Sequence, residues 1–207
     1  MMKIEFWLNI LSPYSYLAHL QLKSAIAVSG CQNVVTEYKW FPEISDQAVS
    51  GQNIWDIKQF YTQTFEQSEV WSQLLFEDFK KHAKILGRDM QLDILHLPET
   101  SLSESIKAAE LKGVAEPFVD FLFTAFWEQG TKIATETIEN FYKNLNYSNN
   151  ALIETRQVET LLKDDELLTK ELGITEAPMM IVNEEIGLCG IQPIEHLVEV
   201  ISMAQSN

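Results

Sequence analysis

The spacing of apolar and polar positions changes several times along the chain, and each change marks an element. Residues Lys3–Leu11 alternate and then turn continuously apolar through Phe6, Trp7, Leu8, Ile10 and Leu11, the pattern of a strand covered on both faces of a sheet. The stretch from Pro13 to Ser29 is rich in apolar residues, contains no further proline and is stopped by Gly30, which predicts a well-buried helix. After a Gly30–Asn33 turn, the β-branched and aromatic run Val34–Phe41 predicts a second strand, ended by Pro42. Strand, helix and strand within about forty residues form a βαβ unit with parallel strands and a right-handed crossover.

From Ser45 to Leu172 the pattern is helical. Helices are predicted over Asn53–Phe65, Gln67–Leu86, Ser101–Lys112, Pro117–Gln129, Thr135–Asn144 and Asn149–Leu172, with Met90–Pro98 irregular. In the last of these helices Leu152, Val158, Leu161, Leu162, Leu168 and Leu172 are expected inward, and the acidic residues are expected to form a solvated face. Strands return at Pro178–Asn183 and Ile186–Cys189 around an Asn183-Glu184-Glu185 turn, and Pro193–Met203 is an amphipathic helix. No repeat, low-complexity tract or Gly/Ser linker interrupts the chain. The layout is α/β, one sheet covered by helices, with a large helical insertion.

Composition narrows the function classes. The 207 residues are 46% hydrophobic, enough for a substantial core, and 30 Asp and Glu against 15 Lys and Arg give a net charge of −15. That charge repels nucleic acid and anionic membrane surfaces. The N-terminal residues pass directly into a strand pattern and no apolar run reaches membrane-spanning length, so a cytoplasmic location is expected. Cys31 and Cys189 are the only cysteines and have no C-x-x-C or metal-ligand spacing, so no metal is expected, while a bridge between the two stays open.

Candidate chemistry gathers at Ser12-Pro13-Tyr14-Ser15, where the first strand gives way to the first helix. A serine before a proline at this position is an ordinary helix cap. It is also a candidate anion site, because unpaired amides and the helix dipole converge at a helix N-terminus. Both readings stand on the residues alone. His19, two turns further on, is either a general base or a solvent-facing or core-rim histidine. Trp40, Phe41, Trp55, Tyr61 and Trp71 are either a pocket for an aromatic acceptor or ordinary core.

Asn9-Ile10-Leu11-Ser12-Pro13-Tyr14-Ser15-Tyr16-Leu17-Ala18 resembles the active-site segment of the DsbA family of the thioredoxin fold. The resemblance is to the branch with 2-hydroxychromene-2-carboxylate isomerase and kappa-class glutathione transferase, in which Ser-Pro-aromatic-Ser replaces Cys-x-x-Cys. Gly173–Val182 resembles the family's cis-proline loop, and Gly190-Ile191-Gln192-Pro193 resembles the turn before the last helix in FrnE-type DsbA proteins. The resemblance implies a thioredoxin-like domain over 1–44 and 173–207, with a helical insertion over 45–172. It implies glutathione as cofactor or co-substrate, with Ser12 stabilising its thiolate and Ser15 and Tyr14 in support. Ala177 and Pro178 would form a backbone clamp, Ile191 and Gln192 would lie where relatives hold the γ-glutamyl group, and Asn53 would be a further ligand contact. Ile191 and Gln192 depart from the Ser and Asp of the kappa-class enzymes, and Gly51-Gln52-Asn53 matches a Gly-Asn element only loosely.

With serine at both positions, dithiol cycling at the tetrad is excluded by composition, because a hydroxyl forms no disulfide. The expected function is a glutathione-dependent isomerase or transferase acting on an aromatic acid or another small electrophile. Two alternatives remain: a DsbA-like protein that binds a peptide or partner at the proline loop, and a divergent oxidoreductase using Cys31 or Cys189. Homodimer formation is left open.

Overall fold

The computed structural model describes residues 1–42, 57–92, 96–145 and 155–206. The chain divides into two compact units, Met1–Glu43 with Leu161–Asn207, and Ile44–Thr160. The insertion expected over 45–172 and the second unit therefore differ at their C-terminal edge.

The first unit is built on four strands, β1 (Met2–Leu8), β2 (Val34–Trp40), β3 (Met179–Val182) and β4 (Ile186–Cys189), in the spatial order β2-β1-β3-β4. β1 and β2 are parallel, while β3 runs antiparallel to both β1 and β4. The first helix, α1 (Pro13–Ser29), connects β1 to β2 and ends at Gly30, whose φ of 68° is the left-handed conformation a helix stop requires. The 17-residue helix over Thr155–Glu171 leads into the second half of the sheet, and a helix over Ile194–Ser206 closes the chain and packs on α1. This is the layout the resemblance implies, a four-stranded sheet whose two halves are separated in sequence by helices.

Pairing sorts the strand residues onto two faces. Ile4, Phe6 and Leu8 share a face with Tyr38, Trp40, Met180 and Val182, and all seven are buried. His19 of α1 stacks on Phe6 at 6.1 Å and tilts against Tyr38 at 5.8 Å, with 1% exposure. It is thus a core residue, neither at the rim nor placed as a base.

The opposite face is mixed, with the buried Trp7 beside several charged side chains. Lys3 bonds Glu5 at 2.8 Å and Glu37 at 3.3 Å, and Lys39 lies 3.5 Å from Glu37 and 3.6 Å from Asp165. The hydrogen bond to Glu5 holds the Lys3 ammonium above its usual pKa against the opposing effect of burial. Asp165 corrects the expectation of an all-solvated acidic face: it is 3% exposed, and its Oδ2 accepts the Trp40 amide at 2.9 Å. β2 is an edge strand, so its outward N–H groups need an acceptor, and Asp165 supplies one. One turn later Thr169 is buried and accepts the Trp7 indole N–H at 3.2 Å. Leu172, expected inward, is 48% exposed.

The second unit holds α2 (Ile57–Thr64), α3 (Glu69–Ile85), α4 (Leu102–Leu111), α5 (Ala115–Phe123) and α6 (Thr135–Asn144); the helices over 155–171 and 194–206 are α7 and α8. Its core is aromatic, with Trp127 meeting Phe79 and Phe126 at 5.1 and 5.0 Å. Tyr61 is buried against Phe60, Phe65 and Phe76, and Trp71 lies against Phe65. The ordinary-core reading therefore holds for Tyr61, whereas Trp71 is half-buried, and Trp55 lies outside the described residues. The helix expected to run regularly to Gln129 instead ends in a π-helix over Thr124–Glu128. The wider turn accompanies carbonyls bonded elsewhere: Trp127 O accepts the Gln91 amide at 2.9 Å, and Ala125 O accepts the Thr131 amide at 2.8 Å.

Candidate functional site

β1 ends at Leu8, earlier than its apolar run suggests, because Asn9 breaks the ladder. Its Oδ1 accepts the Leu11 amide at 2.9 Å and its main-chain carbonyl accepts the Ser12 amide at 3.0 Å. An Asn that bonds the backbone two residues on substitutes a turn for strand pairing. The side-chain Nδ2 donates to Phe41 O at 3.2 Å, tying the turn to the end of β2. Asn9 is wholly buried, so these bonds offset the cost of burying its carboxamide. Sequence reasoning assigned no role to Asn9, although an Asn three residues before a Ser-Pro is a turn signal.

Ser12 caps α1. Its φ and ψ of −87° and 118° are extended, Pro13 opens the helix, and Ser12 Oγ accepts the Ser15 amide at 3.4 Å. That bond uses only an acceptor position, so the hydroxyl keeps its proton to donate. The first turn of α1 carries no acidic side chain of its own to offset the positive end of the helix dipole. Ser15 is 0% exposed and its Oγ accepts the Asn9 amide at 3.2 Å, which makes it a brace of the turn. Tyr14 is half-buried at the second helical position.

The second half of the chain brings Ala177 and Pro178 to the same end of the sheet. Trp7 pairs with Met179, and Leu8 and Pro178 are the next residues along in the two strands. The Ala177–Pro178 bond is cis. Pro178 is buried and Ala177 half-buried, and among the described residues the Ala177 N–H and C=O make no hydrogen bond. The Gly190 amide donates to Pro178 O at 2.8 Å, which fastens the Gly190–Gln192 turn beside the proline loop. Ile191 is half-buried there. Gln192 is engaged internally, its Nε2 donating to Cys189 O at 2.6 Å and its Oε1 lying 3.1 Å from His196 Nδ1. The structure thus gathers Ser12, Ser15, Ala177, Pro178, Ile191 and Gln192 at one end of the first unit. Asn53 lies outside the described residues.

The cysteines stand apart from this chemistry, and both are free. Cys31 follows the far end of α1, about 25 Å from Ser12 for a helix of 17 residues. Cys189 is exposed and its Sγ donates to Glu176 Oε1 at 2.9 Å. Partial burial of the sulfur and the Glu176 carboxylate push this thiol up to about 11, leaving it protonated, and so a poor nucleophile, near neutral pH. Among the described residues no group of three or more His, Cys, Asp or Glu could hold a metal ion, and no helix is long and apolar enough to cross a membrane.

Comparison with curated proteins finds no match. Solved structures similar to this one include a probable DsbA oxidoreductase from Streptomyces coelicolor, at 17% identity and a TM-score of 0.77, covering 100% of this chain and 91% of that one. A 2-hydroxychromene-2-carboxylate isomerase matches at 16% identity and a TM-score of 0.60, covering 99% and 95%. The cytosolic disulfide reductase DsbM from Pseudomonas aeruginosa, solved with GSH, matches at 11% identity and a TM-score of 0.61, covering 99% and 96%. At these identities the likeness is one of fold. The sequence itself matches the DSBA-like thioredoxin domain over residues 3–202, and with the topology and the proline loop this places the chain in the DsbA-like family of thioredoxin-fold proteins.

Proposed function

We propose that the protein is a glutathione-dependent enzyme, an isomerase or transferase, in which the Ser12 end of α1 stabilises the glutathione thiolate. The observation that carries the reading is the cap itself: a serine hydroxyl with a proton to donate, on a helix whose first turn has no acidic side chain, at the sheet end that also holds the Ala177–Pro178 loop. Bound glutathione supplies a thiolate for addition to an electrophilic carbon. Ser12 donates a hydrogen bond to that sulfur and, with the helix dipole, lowers its pKa. The main chain of Ala177 offers a donor and an acceptor to the peptide part of the ligand, as an added strand would. The name of one structural neighbour, a disulfide reductase solved with GSH, agrees with a thiol ligand, and that of another, an isomerase of 2-hydroxychromene-2-carboxylate, agrees with the reaction class. The protonated Cys189 and the remote Cys31 weigh against the alternative of a cysteine-based oxidoreductase.

Titration with glutathione while following tryptophan fluorescence tests the proposal. A saturable change is expected, and Ser12→Ala is expected to raise the pKa of the bound thiol. A flat trace up to millimolar glutathione sinks the reading and leaves peptide binding at the proline loop as its successor. Insulin reduction above background would contradict the absence of dithiol chemistry.

A further inference from the structure

We infer that Asn9 is a positioning residue for the Ser12 hydroxyl, setting where the thiolate-stabilising proton lies. The inference rests on the proposed role of Ser12 and extends it to a residue that touches no ligand. Asn9 is 0% exposed, and the bonds it makes surround the cap. Its carbonyl accepts the Ser12 amide at 3.0 Å, which fixes where the capping residue begins. Its Oδ1 accepts the Leu11 amide at 2.9 Å, which fixes the residue before it. Its own amide donates to Ser15 Oγ at 3.2 Å, and the Ser15 amide in turn donates to Ser12 Oγ at 3.4 Å. The side-chain Nδ2 donates to Phe41 O at 3.2 Å, and the Phe41 amide donates to Leu8 O at 2.9 Å. The loop is thereby anchored to the paired ends of β1 and β2.

This arrangement matters because the bond that orients the Ser12 oxygen is long. At 3.4 Å the Ser15 amide holds it weakly, so the position of the hydroxyl is inherited from the main chain beneath it. That main chain is held by Asn9. A hydrogen bond to a developing or resident anion is sensitive to displacements of well under an ångström. Removing the Asn9 side chain takes away its bond to the Leu11 amide and unties the turn from Phe41, which lets Ser12 drift while its own side chain is intact.

The test is a double-mutant cycle read by the pKa of bound glutathione, followed through thiolate absorbance against pH. Asn9→Ala is expected to raise that pKa so that the thiolate fraction near neutral pH falls roughly tenfold, the equivalent of one pKa unit. In the Ser12→Ala background the same change is expected to add almost nothing, because Asn9 acts through Ser12. Asn9→Ser, which retains an acceptor for the Leu11 amide but drops the tie to Phe41, is expected to give a smaller rise. It decides the matter in the same way if the alanine variant folds poorly. A thiol pKa unchanged from the parent, or raised equally with and without Ser12, overturns the inference. If the parent protein binds no glutathione, the proposed function has failed, and hydrogen exchange of the Ser12 amide decides the positioning claim alone: faster exchange in the Asn9 variants supports it, and parent-like protection overturns it.

Discussion

Cys189 shows how a single residue near the site is kept out of its chemistry. Its thiol donates to Glu176, and burial and that carboxylate together hold it up to about 11. Alkylation by iodoacetamide near pH 8 is therefore expected to be slow and to accelerate only as the pH approaches 11. Glu176→Gln removes the negative charge but not the burial, so its alkylation rate at pH 8 should rise by up to about tenfold, one pKa unit or less. A parent-like rate in that variant would show that the carboxylate does not govern the sulfur. The folded state binds this proton more tightly than the unfolded chain, whose thiol has an ordinary value of 9.0. The Cys189 contribution to stability is thus complete below about pH 9 and is lost as pH rises toward 11. Urea titrations across that window should show a decline that is smaller in Cys189→Ser.

Between elements, two features carry expectations that stability measurements can check. Asp165 joins α7 to the edge of β2 through the Trp40 amide and Lys39. Asp165→Ala strands a buried N–H and should cost about 1–3 kcal/mol in urea denaturation. Asp165→Asn keeps an acceptor for that amide and should lose less; equal losses would show that the hydrogen bond is not what matters. The β3–β4 turn places Asn183 and Glu184 at φ of 49° and 61°, with the Glu185 amide bonded to Val182 O at 3.0 Å. Asn suits a left-handed position, whereas Glu is strained there. Glu184→Gly relieves that strain, less the greater chain entropy glycine loses on folding, for an expected gain of about 0.5–1 kcal/mol. The exposed Glu184 lies 3.8 Å from Lys3, a loose pair whose loss should subtract little. A destabilised glycine variant would place the weight on that ion pair instead.

Charge is a property of the whole chain, and both units share it: five Lys and Arg against twelve Asp and Glu in the first, ten against eighteen in the second. Residues 173–207 contain five glutamates and no Lys or Arg. An anionic electrophile approaches against this field, so its KM should fall as ionic strength rises from about 20 to about 200 mM, while that of an uncharged electrophile should not change. Insensitivity of both would mean that the site is shielded from the surrounding charge. The aromatic acids expected among the substrates are the class this field penalises. Much of the architecture was legible before the fold was known. α1 starts and stops where Pro13 and Gly30 place it, β2 begins at Val34, and α6 spans Thr135–Asn144, because caps, breakers and periodicity act over a few residues and need no partner. The Ser12 cap was legible for the same reason. Other features depend on which faces meet, and that is set by strand register between residues far apart in sequence. β1 pairs with residues more than 170 positions away, which brings Pro178 to the end of β1; His19 is buried where α1 packs on Phe6 and Tyr38, and Asp165 and Thr169 turn inward to Trp40 and Trp7. Local pattern determined the elements and the capping serine. Only tertiary structure decided that Asn9 ends β1 and carries the turn under Ser12, because the backbone groups its carboxamide satisfies include one at the end of β2.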